Sequence, residues 1–207
     1  MSTRRAFCLA LGAAACARTG ASESVSPTLR EVSRRLAPEP VVRGAFEQRK
    51  TIKGFRNPLV SSGDFVVARQ RGVIWRTLAP FPSSLVITRD RLLARQGDGA
   101  VARRLSASEE PAVRGISETL FGVMAADLSV LVQRFDISGD SGRDGWRLAL
   151  QPRDAGLARW IQRVELEGDR FLQAVRMQEA GGDLTAIKLS RHGAGATLAA
   201  EEELQFE

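Results

Sequence analysis

Reactive side chains are scarce in this sequence. Its 207 residues contain one histidine, His192, and two cysteines, Cys8 and Cys16. His192 stands in the glycine-rich run RHGAGATL, beyond the last predicted strand, and reads as an exposed loop residue with no cysteine or second histidine beside it. That argues against zinc sites built on Cys and His, and leaves Ser-His-Asp hydrolysis without its geometry. Glu47 and Glu179 read as isolated carboxylates on strands, and Glu201-Glu202-Glu203 as a solvated tail. Gly12, Gly54, Gly97 and Gly99 make no phosphate-binding fingerprint, because none lies between a strand and a helix at the required spacing. No catalytic residue, metal or cofactor is expected, although a carboxylate pair brought together by folding would escape such a search. An enzyme reading has nothing positive behind it in these residues.

The more informative polar residue is Arg69. It follows Phe65 and Val67 at period two, so it shares their otherwise apolar face. Two roles are open. Arg69 ends its strand beside a turn and extends its guanidinium to water, or its forked donors bond backbone carbonyls of a covering helix and act as a latch.

The elements that must position these residues are mostly short strands. A central stretch reads as three of them, Ser62–Arg69, Gly72–Leu78 and Ser84–Thr88, each alternating side chains at period two. Gln70-Arg71-Gly72 makes the first tight turn, with Gly72 free to take a positive φ. Pro80 and Pro82 break the pattern, since proline cannot donate to a sheet ladder. Upstream, Ser26-Pro27 is a helix-start signal, and Leu29, Val32 and Leu36 share one face of the helix that Pro38 and Pro40 end. A strand from Val41 to about Lys53 follows, carrying Phe46.

Downstream, Arg91–Gln96 and Ala100–Leu105 predict a hairpin. From Glu109 to Val132 the period turns helical, through Val113, Ile116, Leu120, Met124, Leu128 and Leu131, with Gly115 and Gly122 weakening the helix. Strands return at Gln133–Ser138, Asp144–Gln151, Arg163–Glu167, Arg170–Glu179 and Leu184–Ser190, with Gly-Asp turns between the last three. Nine or ten antiparallel strands with a leading helix and a helical insertion predict an α+β fold, mainly β. Such a sheet curls to hide its apolar face, giving an open, incomplete barrel covered by helices. Ile116, Leu120, Phe121 and Met124 are then either ordinary core or a lid over an incompletely filled interior.

Composition sets the compartment and the partners. A chain of this length supports one sizeable core. With 43% hydrophobic and 26% charged residues, it is of ordinary globular composition. The net charge of +6 is carried almost wholly by arginine. It reads as a solvated surface or as affinity for anionic headgroups, not as a nucleic-acid site, because no basic run interleaves with aromatics. The opening MSTRRAFCLALGAAACARTGAS has a basic start, a short apolar run and small residues at possible cleavage points after Ala17 or Ala21. Residues 1–21 are expected to be an export signal, and residues 22–207 a single periplasmic domain. Thr3-Arg4-Arg5-Ala6-Phe7 also fits a twin-arginine signal, and two ordinary basic residues of a general secretory signal fit equally. Ala13-Ala14-Ala15-Cys16 is a loose lipobox, so lipidation at Cys16 and membrane anchoring form the alternative. Cleavage downstream leaves no cysteine, and hence no disulfide or thiol chemistry.

At this point a resemblance enters. Phe46-Glu47-Gln48, Ser62-Gly63-Asp64-Phe65, Ile74-Trp75-Arg76-Thr77 with Pro80-Phe81, Trp146-Arg147-Leu148 and Gly182-Asp183-Leu184-Thr185 resemble the periplasmic outer-membrane lipoprotein carrier family (LolA) over about residues 26 to 191. The resemblance implies an open antiparallel barrel whose hydrophobic cavity shields lipoprotein acyl chains between an inner-membrane exporter as donor and an outer-membrane acceptor. It implies a cavity lined by Phe46, Phe65, Val67, Val73, Trp75, Leu85, Ile87, Ile116, Leu120, Met124, Trp146 and Leu148. It also implies a lid latch at the arginine about six residues before the strand tryptophan. Counting back from Trp75 reaches Arg69, with Arg71 as a nearby alternative. A monomer is expected, carrying lipoprotein or related acyl-chain cargo. A membrane-anchored acceptor of the same fold, or a module for a lipid-like metabolite, are the alternatives.

Overall fold

Alternation at period two decides the architecture. The computed structural model describes residues 26–36, 39–88, 91–97, 100–106, 121–122 and 128–207, without the side chains of Arg91, Val101–Ser106 and Val130. Its strands are β1 (Val41–Thr51), β2 (Leu59–Ala68), β3 (Gly72–Ala79), β4 (Ser83–Ile87), β5 (Arg91–Gln96), β6 (Val101–Ser106), β7 (Phe135–Gly142), β8 (Gly145–Pro152), β9 (Ile161–Gly168), β10 (Leu172–Glu179) and β11 (Leu184–Gly195). They form one sheet of eleven in the order β6-β5-β4-β3-β2-β1-β11-β10-β9-β8-β7, rather than the nine or ten expected. Every ladder is antiparallel, and β1 and β11 join the two meanders. β6 and β7 end the order without pairing with each other, so the barrel stays open.

Each strand divides its side chains between two faces. The inner face carries Val42, Phe46, Phe65, Val67, Val73, Leu148, Leu150, Val164, Leu166, Val175 and Leu189 in one buried cluster. Helix α1 (Pro27–Arg35) lays Leu29 and Val32 on this cluster, and α2 (Ser129–Arg134) adds Leu131. The start of α1 follows its sequence signal: the Ser26 hydroxyl accepts from the Leu29 N–H at 3.2 Å, and Pro27 occupies the first helical position. α2 runs on through Gln133 and Arg134, which the pattern assigns to a strand. The Phe135 N–H still reaches the Leu131 carbonyl and closes the last turn there. Gly72 makes the predicted turn with φ +150°, and a Cβ on it would sit 1.9 Å from the Ile87 carbonyl oxygen.

The outer face of β1–β5 holds a second, smaller core of Val41, Val66, Ile74, Val86 and Leu93, packed against Leu198 and Phe206. Between those two residues lies α4 (Ala200–Gln205). The acidic run is therefore helical, with Glu201 and Glu203 exposed as expected and Glu202 turned inward. Glu202 is buried and accepts from Arg43 Nε at 2.8 Å and from the Ala199 N–H at 2.8 Å, with Arg43 Nη2 closing a second contact. The arginine beside it holds this carboxyl below the usual carboxylate range, against the opposing effect of burial. α3 (Ala155–Ala158) spans the β8–β9 connection, where Asp154 caps it by accepting from the Leu157 N–H at 3.2 Å.

Candidate functional site

The inner face carries a seam of stacked rings, and two glycines make it possible. In the β1–β2 register Gly44 faces Phe65 and Phe46 faces Gly63. Each ring lies over the glycine opposite. A Cβ on Gly44 would come within 2.5 Å of Phe65 Cζ, and one on Gly63 within 2.9 Å of Phe46 Cε1. Freed to lie flat, Phe46 stacks on Trp75 with centroids 3.9 Å apart, and Phe65 stacks on Trp75 at 6.1 Å. The signal was available in the sequence: Gly44-Ala45-Phe46 and Gly63-Asp64-Phe65 share one Gly-x-Phe spacing in adjacent strands.

The seam continues through the histidine. β11 is irregular opposite Gly44, where pairing jumps from Arg43↔Gly193 to Ala45↔Ser190, and Arg191 takes a φ of +52°. This bulge turns His192 onto the inner face. His192 stacks on Phe171 at 4.9 Å and meets the edge of Phe65 at 5.8 Å, and the Arg170 guanidinium lies 5.6 Å over Phe171. The expectation of an exposed loop histidine is corrected: His192 is a half-buried strand residue. Burial lowers its pKa, and a hydrogen bond to the Leu172 backbone works against that. A cavity of about 20 Å³ opens beside it, lined by α1-side Leu36 with Val42, Phe65, Phe171 and His192 among others. That is room for about one water.

Phe46, Phe65, Val67, Val73, Trp146 and Leu148 are all buried in the inner cluster, and half-buried Trp75 and Ile87 pack against it. Leu85 is half-buried opposite Trp75 in the β3–β4 register. Trp146 satisfies its indole N–H on the Asp169 carbonyl at 2.8 Å. Ile116, Leu120 and Met124 lie outside the described residues, as do Cys8, Cys16 and the rest of residues 1–25. Phe121, on the same predicted helix, packs against the inner cluster.

Arg69 sits in the turn just after β2, its own N–H held by the Pro40 carbonyl at 3.0 Å. It is half-buried, whereas Arg71 is exposed. Its Nε is buried with no hydrogen-bond partner among the described residues. Of the carboxylates read as isolated, Glu179 is not: it accepts from Lys50 Nζ at 2.7 Å. Among the described residues no group of three or more His, Cys, Asp or Glu side chains is placed to hold a metal.

The site is thus an unclosed antiparallel sheet whose inner face carries a buried apolar cluster with helices packed on it. Residues 19–205 match the family described as outer membrane lipoprotein carrier protein LolA-like, and the chain belongs to that family. Among solved structures it is similar to a DUF1329 family protein from Desulfovibrio piger, at 12% identity over 86% of this chain and 94% of that one, with a TM-score of 0.52. It is also similar to a LolA superfamily protein from Nitrosomonas europaea, at 11% identity over 84% and 94%, with a TM-score of 0.47. At such identities the likeness is one of fold. No curated protein matches the chain. The family is one of envelope binding and carrier proteins rather than enzymes. No described helix is long and apolar enough to cross a membrane.

Proposed function

We propose that the chain is a periplasmic carrier that shields acyl chains of lipoproteins or related lipids against its inner face during transfer towards the outer membrane. The observation that carries this is the continuous aromatic seam on the inner face of a sheet that does not close. Each buried methylene contributes about 0.8 kcal/mol, so one or two acyl chains against such a face bind tightly, and the carrier also needs a means of release. The described inner face is closely packed, with residues such as Phe65, Leu131 and Leu166 at 1% exposure or less. Loading therefore requires covering elements to move aside, and their return opposes cargo and promotes its release. Arg69 is the proposed latch of the closed state, because its buried Nε has a donor to offer and no described acceptor.

Mass spectrometry of lipids extracted from the purified protein tests the carrier reading. Acyl-chain lipids or acylated peptides at near-stoichiometric amounts are expected, and their absence from protein expressed in a lipoprotein-exporting bacterium overturns it. Arg69→Leu is expected to load cargo yet keep it when offered an acceptor membrane. Transfer at the wild-type rate removes the latch from the mechanism.

A further inference from the structure

The end of the sheet farthest from Arg69 and His192 has an unusual surface. Of the eight most exposed large hydrophobic side chains among the described residues, seven belong to that end. Phe55, 70% exposed, tips the β1–β2 turn, and Phe81, 81% exposed, tips the β3–β4 turn. Trp160, 61% exposed, leads into β9, and its carbonyl accepts from Ala180 N–H at 2.9 Å, which ties it to the β10–β11 turn. Leu59, Leu78 and Leu184 flank these turns on β2, β3 and β11. Antiparallel connectivity places all of them on one rim.

The charges of this rim are unbalanced in one direction. Its described carboxylates have partners within the protein: Glu179 and Asp183 share Lys50, Asp154 caps α3, and Asp136 pairs with Arg153. Arg49, Lys53, Arg56 and Arg159 are exposed and have no ion-pair partner among the described residues. Immediately behind the rim, on the outer face, a groove of about 280 Å³ is lined by Arg49, Arg163, Arg176 and Leu184 among others. Arg163 and Arg176 each hold a glutamate there, Glu165 and Glu167, and Arg49 holds none. Exposed rings interleaved with uncompensated cations match the two layers of a bilayer interface, where aromatics sit at headgroup depth and cations meet phosphate.

We propose that this rim docks the chain onto an anionic phospholipid bilayer. Phe55, Phe81 and Trp160 enter the boundary between headgroups and acyl chains, while Arg49, Lys53, Arg56 and Arg159 pair with lipid phosphates. The rim lies at the opposite end from the proposed latch, so docking does not depend on what the inner face carries.

Co-sedimentation of the full chain with phosphatidylcholine vesicles, with and without phosphatidylglycerol, tests the proposal. Wild-type protein is expected to pellet with the anionic vesicles, less so at high salt, with a blue shift of Trp160 fluorescence. The triple variant F55S/F81S/W160S, and separately K53E/R56E/R159E, are expected to bind about tenfold or more weakly. All six positions are exposed, so thermal melting is expected to be unchanged, and any leader segment is common to every variant. The proposal is overturned if wild-type protein pellets with neither vesicle, if it pellets equally with both, or if both triple variants bind as wild type does. Lipid extraction on the same samples reads the inner face separately, so failure of docking and failure of the carrier reading are distinguishable.

Discussion

The two faces of β1–β5 invite comparison, because one run of strands builds both. On the outer face, Val41, Val66, Ile74, Val86 and Leu93 are covered by Leu198 and Phe206, and the buried carboxylate, Glu202, is matched by Arg43 and by the Ala199 N–H. Asp64 and Arg76 pair on that same face. On the inner face the apolar surface is larger and richer in rings, yet its polar groups are not all matched. His192 is driven towards its neutral form among phenylalanines, and in the turn after β2, at the edge of this face, Arg69 Nε is buried without a described acceptor. A buried unmatched donor costs about 1–3 kcal/mol. The buried carboxylate of the outer face has its donors, whereas Arg69 has no described acceptor.

The inner seam breaks most severely at Gly63. A Cβ there would lie 1.8 Å from the Arg76 carbonyl oxygen and press on Phe46. Gly63→Ala is expected to lose about 3 kcal/mol in urea unfolding, at the upper end of overpacking costs. A loss below about 1 kcal/mol shows that β2 shifts freely, and that the seam does not depend on the reciprocal Phe–Gly pairing.

The outer seal is next. Glu202→Ala leaves Arg43 without its partner and α4 without its N-terminal acceptor. Because the Arg43 side chain is 36% exposed, the expected loss is about 2 kcal/mol, below that of a fully buried pair. The sign with pH follows from the lowered carboxyl: the folded state binds this proton less readily than the unfolded chain. The contribution is therefore complete above the ordinary carboxylate range and disappears as pH falls through the folded pKa. Unfolding measured from pH 7 down into the acid range is expected to show this component in wild type and not in the variant. Equal acid sensitivity of the two proteins assigns the effect to other carboxylates.

The smallest effect belongs to His192. Its pKa is lowered on folding, so its contribution is full while the imidazole is neutral in both states and declines as pH falls below the unfolded value of about 6.5. His192→Phe keeps a ring against Phe171 and Phe65 and is expected to flatten the stability profile in that interval. An unchanged slope shows that the folded seam accepts the imidazolium, even with the Arg170 guanidinium over the Phe171 ring on which it stacks.

Much of this was legible without coordinates. Ser26-Pro27 started α1, Gly72 made its turn, and the alternation of Phe65, Val67, Val73 and Trp75 placed them together on one face, because each of these choices is made by residues next to one another in the chain. The misjudged residues share a different cause. His192 looked like a tail residue because glycines surround it, but β11 continues through them, and a bulge opposite Gly44 sets its direction. Glu202 looked solvated because its sequence neighbours are glutamates, but its partner, Arg43, is 159 positions away.

The sequence alone determined the strands, their turns, the split of apolar side chains between two faces, and the family to which the chain belongs. Only the tertiary structure decided that the rings join into one seam, that the C-terminal helix seals the outer face, and that seven exposed apolar side chains meet on one rim. The physical reason is range. Period and turn chemistry act over a few residues, whereas stacking, ion pairing and the convergence of turns depend on which distant strands lie side by side.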